Sequence, residues 1–237
     1  MALPPSFVIS LERDEKRVEN VRDNILNIIP ECEIVAATDG RTMNMFDVGS
    51  LISTNPSYRL NPLVIACHLS HLKVLKLIVE RRLSSAIVFE DDVKVVPDFH
   101  NRLELLLDEI PDDYEYVYLY THPKYKLEDD TPFLIPEKNH IRRYSYTYCN
   151  LAYLVSFNGA KKLVNYLSQP VYAPLDFMVN DLIDNGGLAT YMSRTILVEN
   201  LGQLTSIYNH ELLPSNIFSP NSFQSKVWHS FRRLLAD

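Results

Sequence analysis

The chain is 237 residues long, 46% apolar and 22% charged, which excludes a disordered or fibrous protein and leaves enough material for a full hydrophobic core. Its formal net charge of −7 argues against a general affinity for nucleic-acid phosphate. Cys32, Cys67 and Cys149 are too widely spaced for a disulfide framework or a CxxC knuckle, which suits a reducing, cytoplasmic setting.

The first half alternates strand and helix signals, as an α/β sheet requires. Residues 6–11 (SFVISL) read as a buried strand. Val18, Val21, Ile25 and Ile28 recur at helical spacing across 14–29, and Pro30 stops that segment. A short strand over 33–36 runs into Thr38-Asp39-Gly40-Arg41, a loop signal. Asn61-Pro62 pairs an N-cap with a proline at the first helical position, so a helix should run to about residue 82. No run approaches ~18 uninterrupted apolar residues, and the N-terminus has no basic n-region, so neither a spanning helix nor a signal peptide is expected.

Residues 86–89 (AIVF) form an apolar strand ending in Glu90-Asp91-Asp92, with 93–96 a possible continuation, and 99–110 reads as an amphipathic helix. Tyrosine occupies every even position of 114–120 and recurs at Tyr144, Tyr146 and Tyr148. Period two would place each set on one sheet face, as ordinary strand residues or as a platform for sugar stacking. Residues 121–139 read as a loop, 151–156 as a strand and 158–167 as a helix. A last helix opens at Pro174-Leu175-Asp176 and stops at Gly186-Gly187. From residue 202 the chain reads as irregular. Its tail, 226–235, is basic and aromatic, suited either to a membrane surface or to a packed terminal helix.

The acidic triplet carries the most chemistry. At an effective dielectric near 20, two unit charges ~4 Å apart repel by about 4 kcal/mol, so three successive carboxylates need a counter-charge or full solvation. In an extended chain Glu90 and Asp92 share one side, with Asp91 opposite. A hard divalent cation, Mn²⁺ or Mg²⁺, could bind there through one or two carboxylates and keep positions open for phosphate oxygens. A solvated turn is the alternative. The carboxyl ends of strands in such sheets are also where ligands bind.

Several features occur in a fixed order. VISLERDEKR carries Arg13 and Arg17, Ala37-Thr38-Asp39-Gly40 follows, then Ala66-Cys67-His68-Leu69-Ser70-His71-Leu72, then IVFEDDV, and later YLVSFNGA and Pro174-Leu175-Asp176. The set resembles glycosyltransferase family 25, the lipooligosaccharide-type galactosyltransferases related to the collagen galactosyltransferases. The resemblance implies an α/β, GT-A-type fold with a central mixed sheet flanked by helices. It also implies a UDP-sugar donor, usually UDP-galactose, a divalent metal and inversion at the anomeric carbon. Asn61-Pro62-Leu63-Val64-Ile65-Ala66-Cys67-His68 departs from the family pattern, lacking its usual glycine and acidic residue.

On this reading the whole chain, 1–237, is one transferase domain. Asp92 would hold the metal with Glu90, and His210 is the third-ligand candidate. Arg13, Arg17, Asp39, Arg41, Ser70, His71, Glu90 and Asp91 are candidates for donor contact. Asp176 is the candidate general base or simply a helix cap, with Asp181 as its substitute. His68 and His71 stand three apart without a glutamate, so no HExxH-type zinc site is expected. The partners would be a UDP-sugar and a saccharide or glycolipid acceptor, with peripheral membrane contact through the tail. A non-catalytic carbohydrate-binding protein and a metal-dependent nucleotidyltransferase are the competing readings.

Overall fold

The computed structural model of the protein describes residues 3–58, 60–120, 133–147 and 149–201, all within one compact unit, Met1–Leu204. Strand β1 (Ser6–Ser10) is followed by α1 (Glu15–Asn20), which passes directly into a π-helical stretch, Val21–Leu26, and then β2 (Glu33–Ala36). Next come α2 (Met45–Leu51), α3 (Pro62–Glu80), β3 (Ser85–Glu90), β4 (Val93–Val95) and α4 (Phe99–Glu109). Then follow β5 (Tyr116–Tyr118), β6 (Ile141–Arg143), β7 (Ala152–Ser156), α5 (Phe157–Leu167), α6 (Leu175–Asp184), β8 (Thr190–Ser193) and β9 (Val198–Asn200).

Seven strands make one mixed sheet in the order β2-β1-β3-β7-β5-β8-β6. β1 lies parallel to β2 and β3, whereas β7 runs antiparallel to β3 and β5. Side-chain alternation divides the core accordingly. Phe7, Ile9, Ala86, Val88, Tyr116, Tyr118, Tyr153 and Val155 pack with α3, α5 and α6 on one face. Val8, Ile87, Phe89, Val117, Ala152 and Leu154 pack with the α1 region and α4 on the other. The expected architecture, helices on both faces of a mixed α/β sheet, is the one observed.

Caps explain the helix starts that bear on the site. Asn61 accepts from Val64 N at 3.0 Å ahead of Pro62, and Asp14 accepts from Arg17 N at 3.3 Å. By length and a mean hydropathy of 1.6, α3 would be apolar enough to cross a membrane. Here Val64, Ile65, Leu75 and Ile78 are buried in the core.

Two expectations are corrected. Residues 93–96 do not extend β3, because the chain turns at Asp91-Asp92 and β4 pairs with β9 in a separate two-stranded sheet. The tyrosines of 114–120 do not share a face: Tyr116 and Tyr118 point to the α3 side, whereas Tyr120 packs with the opposite cluster once the strand has ended. Helix α2 lies where no element was expected, and Asn44 accepts from Asp47 N at 2.8 Å at its start, an ordinary N-cap.

Candidate functional site

The loops after β1, β2 and β3 lie at the carboxyl ends of three neighbouring parallel strands, and the residues before antiparallel β7 reach the same edge, since Ala152 pairs with Phe89. Glu90 continues the row of Ala86 and Val88 and faces α3. There His71, 1% exposed, sets its Nε2 3.2 Å from Glu90 Oε1 and its Nδ1 3.1 Å from the Tyr153 hydroxyl. Tyr153 is on that face because it pairs with Val88. Cys67, one helical turn before His71, brings its sulfur into the same group, with the three ligand atoms of Cys67, His71 and Glu90 all within 4.8 Å of one another.

Asp91 points to the other face. It accepts from Leu11 N at 3.1 Å and from Arg17 Nη1, and both side chains are buried. Asn20, in the last turn of α1, donates to the main-chain oxygens of Asp91 at 2.7 Å and Val93 at 2.9 Å, fixing the turn. Asp92 is 6% exposed, with Arg17 Nη2 3.7 Å from its Oδ2, while its Oδ1 is buried without a hydrogen-bond partner among the described residues. Burial first, then the charge of Glu90, pushes the Asp92 carboxyl up to about 7. Burial likewise raises Asp91, with Arg17 opposing the rise.

Asp176 sits two residues into α6 but does not cap it. Its oxygens accept from Cys149 N at 3.0 Å, Asn150 N at 3.2 Å and Asn150 Nδ2 at 2.6 Å. Cys149 turns these amides toward the acid by taking a φ of 72°, a left-handed conformation that costs a non-glycine residue of order 1 kcal/mol or more. Asn150 is itself held by the Tyr116 hydroxyl at 2.7 Å. Burial and then Glu90 raise the Asp176 pKa, against the pull of the two amides and of His71.

The loop after β2 forms the rim. Arg13 grips both oxygens of Asp39, with Nη2 to Oδ1 at 3.0 Å, and Arg41 N donates to Asp39 Oδ1 at 2.9 Å. The Arg13 guanidinium holds the Asp39 carboxyl below the usual carboxylate range. The Ser70 hydroxyl donates to Ala66 O at 2.7 Å and accepts from Thr38 N at 2.9 Å, tying this loop to α3. Gly40 lets the loop close on the start of α3, since a β-carbon there would lie 2.6 Å from Pro62 O.

The structure thus gathers Glu90, Asp91, Asp92, His71 and Asp176, with Arg13, Asp39 and Arg41 at the rim. Arg17 and Asp91 were expected to face a donor; each turns inward onto the other, because burial of either charge alone would be far more costly. Ser70 is spent on backbone partners. Asp181 Oδ2 accepts from the Tyr172 hydroxyl at 2.6 Å. His68 sets Nε2 2.7 Å from Leu167 O, as a core histidine does. His210 and the tail 226–235 lie outside the described residues. Sequence reasoning gave no role to Cys67, Asn20, Asn150 or Tyr153. Only Cys67 had a signal, its spacing of four from His71.

Acidic side chains that outnumber Arg17, the buried arginine paired with them, and that include one buried oxygen with no partner among the described residues, have the chemistry of a site for a hard cation. Procollagen galactosyltransferase 1-A of Xenopus laevis is 29% identical over 204 residues, 81% of this chain and 33% of that protein. Inactive glycosyltransferase 25 family member 3 of Mus musculus is 30% identical over 190 residues, 74% of this chain and 31% of that protein. The chain therefore spans about a third of the length of the curated relatives it matches. Among solved structures, a glycosyltransferase involved in the glycosylation of the major capsid of PBCV-1 is similar with a TM-score of 0.44 and 9% identity, over 76% of this chain and 75% of that one. The model of glycosyltransferase family 25 (LPS biosynthesis protein) matches residues 3–179, and the chain belongs to that family.

Proposed function

We propose that the chain is a metal-dependent, inverting glycosyltransferase moving a sugar, galactose first among candidates, from a UDP-sugar to a hydroxyl of a saccharide or glycolipid acceptor. The observation that carries this reading is Asp92 Oδ1, buried with no hydrogen-bond partner among the described residues, beside Glu90 and Asp91 at the carboxyl ends of parallel strands. Family membership supports sugar transfer, and the name of the Xenopus relative supports galactose.

Asp92 would hold Mn²⁺ or Mg²⁺, with Glu90 beside it. The cation's contribution is Lewis-acid stabilisation of the charge that builds on a departing diphosphate. The remaining work falls to the chain's own side chains. Arg17 and Asn20 fix the turn that presents Asp92. The Arg13–Asp39 pair supplies a rigid, polar rim suited to ribose or base hydroxyls. Asp176, with its proton affinity raised by burial, takes the proton of the acceptor hydroxyl, and in a single displacement that base must stand opposite the leaving group. The three free cysteines favour action in a reducing compartment, and a membrane role for the tail belongs to the same proposal.

The name of the murine relative favours a second reading, a family member that binds donor without turning it over. Thermal shift with a panel of UDP-sugars in Mn²⁺, Mg²⁺ or chelator tests both, since a ligand of the native state raises apparent stability by mass action. UDP-galactose should raise the Tm with metal, and not with chelator or in Asp92→Asn. A shift indifferent to chelator would overturn the metal role, and no shift with any UDP-sugar would overturn the donor. Binding with no product across saccharide acceptors would select the inactive reading.

A further inference from the structure

We propose that Cys67, His71 and Glu90 form a second cation site, for a thiophilic divalent ion of the Zn²⁺ class, which shares Glu90 with the hard-cation position at Asp92. The inference stands on geometry and does not depend on sugar transfer. Cys67 and His71 are four residues apart on α3, so they share one helix face. Glu90 meets them from the end of β3, giving sulfur, nitrogen and oxygen atoms within 4.8 Å of one another. Tetrahedral zinc, with bonds of roughly 2.0 to 2.3 Å, needs its ligand atoms roughly 3.3 to 3.8 Å apart. The His71–Glu90 separation of 3.2 Å is close to that range, and the sulfur lies within 4.8 Å of both atoms.

The second observation is the orientation of His71. Its far nitrogen, Nδ1, lies 3.1 Å from the Tyr153 hydroxyl, the outer partner that a metal-ligating imidazole characteristically keeps. In the bound form Nδ1–H donates to Tyr153, and the Nε2 lone pair faces the ion. The Cys67 thiol is half-buried and held protonated by burial and by the charges of Glu90, Asp176 and Asp92. Binding forms the metal–sulfur bond and releases the thiol proton to solvent. Two protein elements supply three ligands, and the fourth position is left for water. Because Glu90 is drawn into this site, occupancy by zinc should oppose use of the hard-cation position.

Titration of the intact chain with Co²⁺, a spectroscopic substitute for zinc, tests the assignment. We expect a thiolate-to-cobalt charge-transfer band saturating at one equivalent and bleached by Zn²⁺. The band should persist in Cys32→Ser, Cys149→Ser and Asp92→Asn, vanish in Cys67→Ser, and require about 10-fold more metal in Tyr153→Phe. No band in the folded protein, or a band surviving Cys67→Ser, overturns the site. A measurement needing no variant stands beside it: Zn²⁺ should protect Cys67 from alkylation as read by peptide mass spectrometry, and unchanged labelling of Cys67 overturns the proposal.

Discussion

Arg17 and Asp91, 74 residues apart in sequence, form an ion pair sealed inside the protein at the turn that ends β3. Both charges have left water, so each depends on the other. Replacing Arg17 by Met should cost about 3 to 5 kcal/mol, because Asp91 is then left buried and uncompensated. Urea unfolding measures this. The double variant Arg17→Met, Asp91→Asn should recover a substantial part of the loss.

Asn20 makes a smaller but sharper claim on the same turn. Its side-chain amide satisfies two carbonyls at once, so Asn20→Ala should destabilise by about 1 to 3 kcal/mol. Asn20→Asp should be worse, since a carboxylate would face two main-chain oxygens. Thermal unfolding of the pair of variants ranks them.

The Asp92 carboxyl has a folded-state pKa of about 7 against 3.8 for the free group. Raised in this sense, it destabilises the fold wherever it is ionised, fully above the folded pKa and not at all below the unfolded one. The metal-free protein should gain stability from this group as pH falls from about 8 toward about 4. Asp92→Asn should stabilise the metal-free protein on the order of 2 kcal/mol at about pH 8 and by almost nothing near pH 4. Denaturant titrations at the two pH values check the sign.

At Gly40 a β-carbon would meet Pro62 O at 2.6 Å and Leu63 Cα at 2.8 Å. Both are backbone atoms and cannot swing aside. Gly40→Ala should therefore cost about 1 to 3 kcal/mol, and it should loosen the Arg13–Asp39 rim. Calorimetry of the variant reports the first effect, and weakened UDP-sugar binding the second.

Asp176→Asn keeps the size of the side chain and removes its basicity. If Asp176 takes the acceptor proton, turnover should fall about 100- to 10,000-fold with donor affinity nearly unchanged. Parallel assays of transfer and of UDP-sugar binding separate the two.

The strands and the main helix were legible because local signals agreed with the fold. The β-branched runs of β1 and β3 and the Asn61-Pro62 start of α3 each read correctly. The acidic triplet was legible as a location but not as a division of labour. Its three residues part company because β3 stops at Glu90 and the chain turns, and a stopping point set by the partner strand β7 is not written in the triplet itself. The bonds that hold Asp176 were hidden for another reason: Cys149 reaches its left-handed backbone only under tertiary constraint, and nothing in a Tyr-Cys-Asn sequence announces that. Arg17 could be placed on α1 from periodicity, yet whether it faced solvent or core depended on an acid far along the chain.

Alternation along β3 hands two consecutive acids to opposite sides of the partition: Glu90 answers to α3, Asp91 to α1. Repacking beneath either layer, however distant from the rim, will therefore be felt at this junction. Leu75 belongs to the cluster on the histidine side and Ile25 to the cluster on the arginine side. The tip of one short strand is thus tied to both halves of the interior, through His71 on one side and Arg17 on the other.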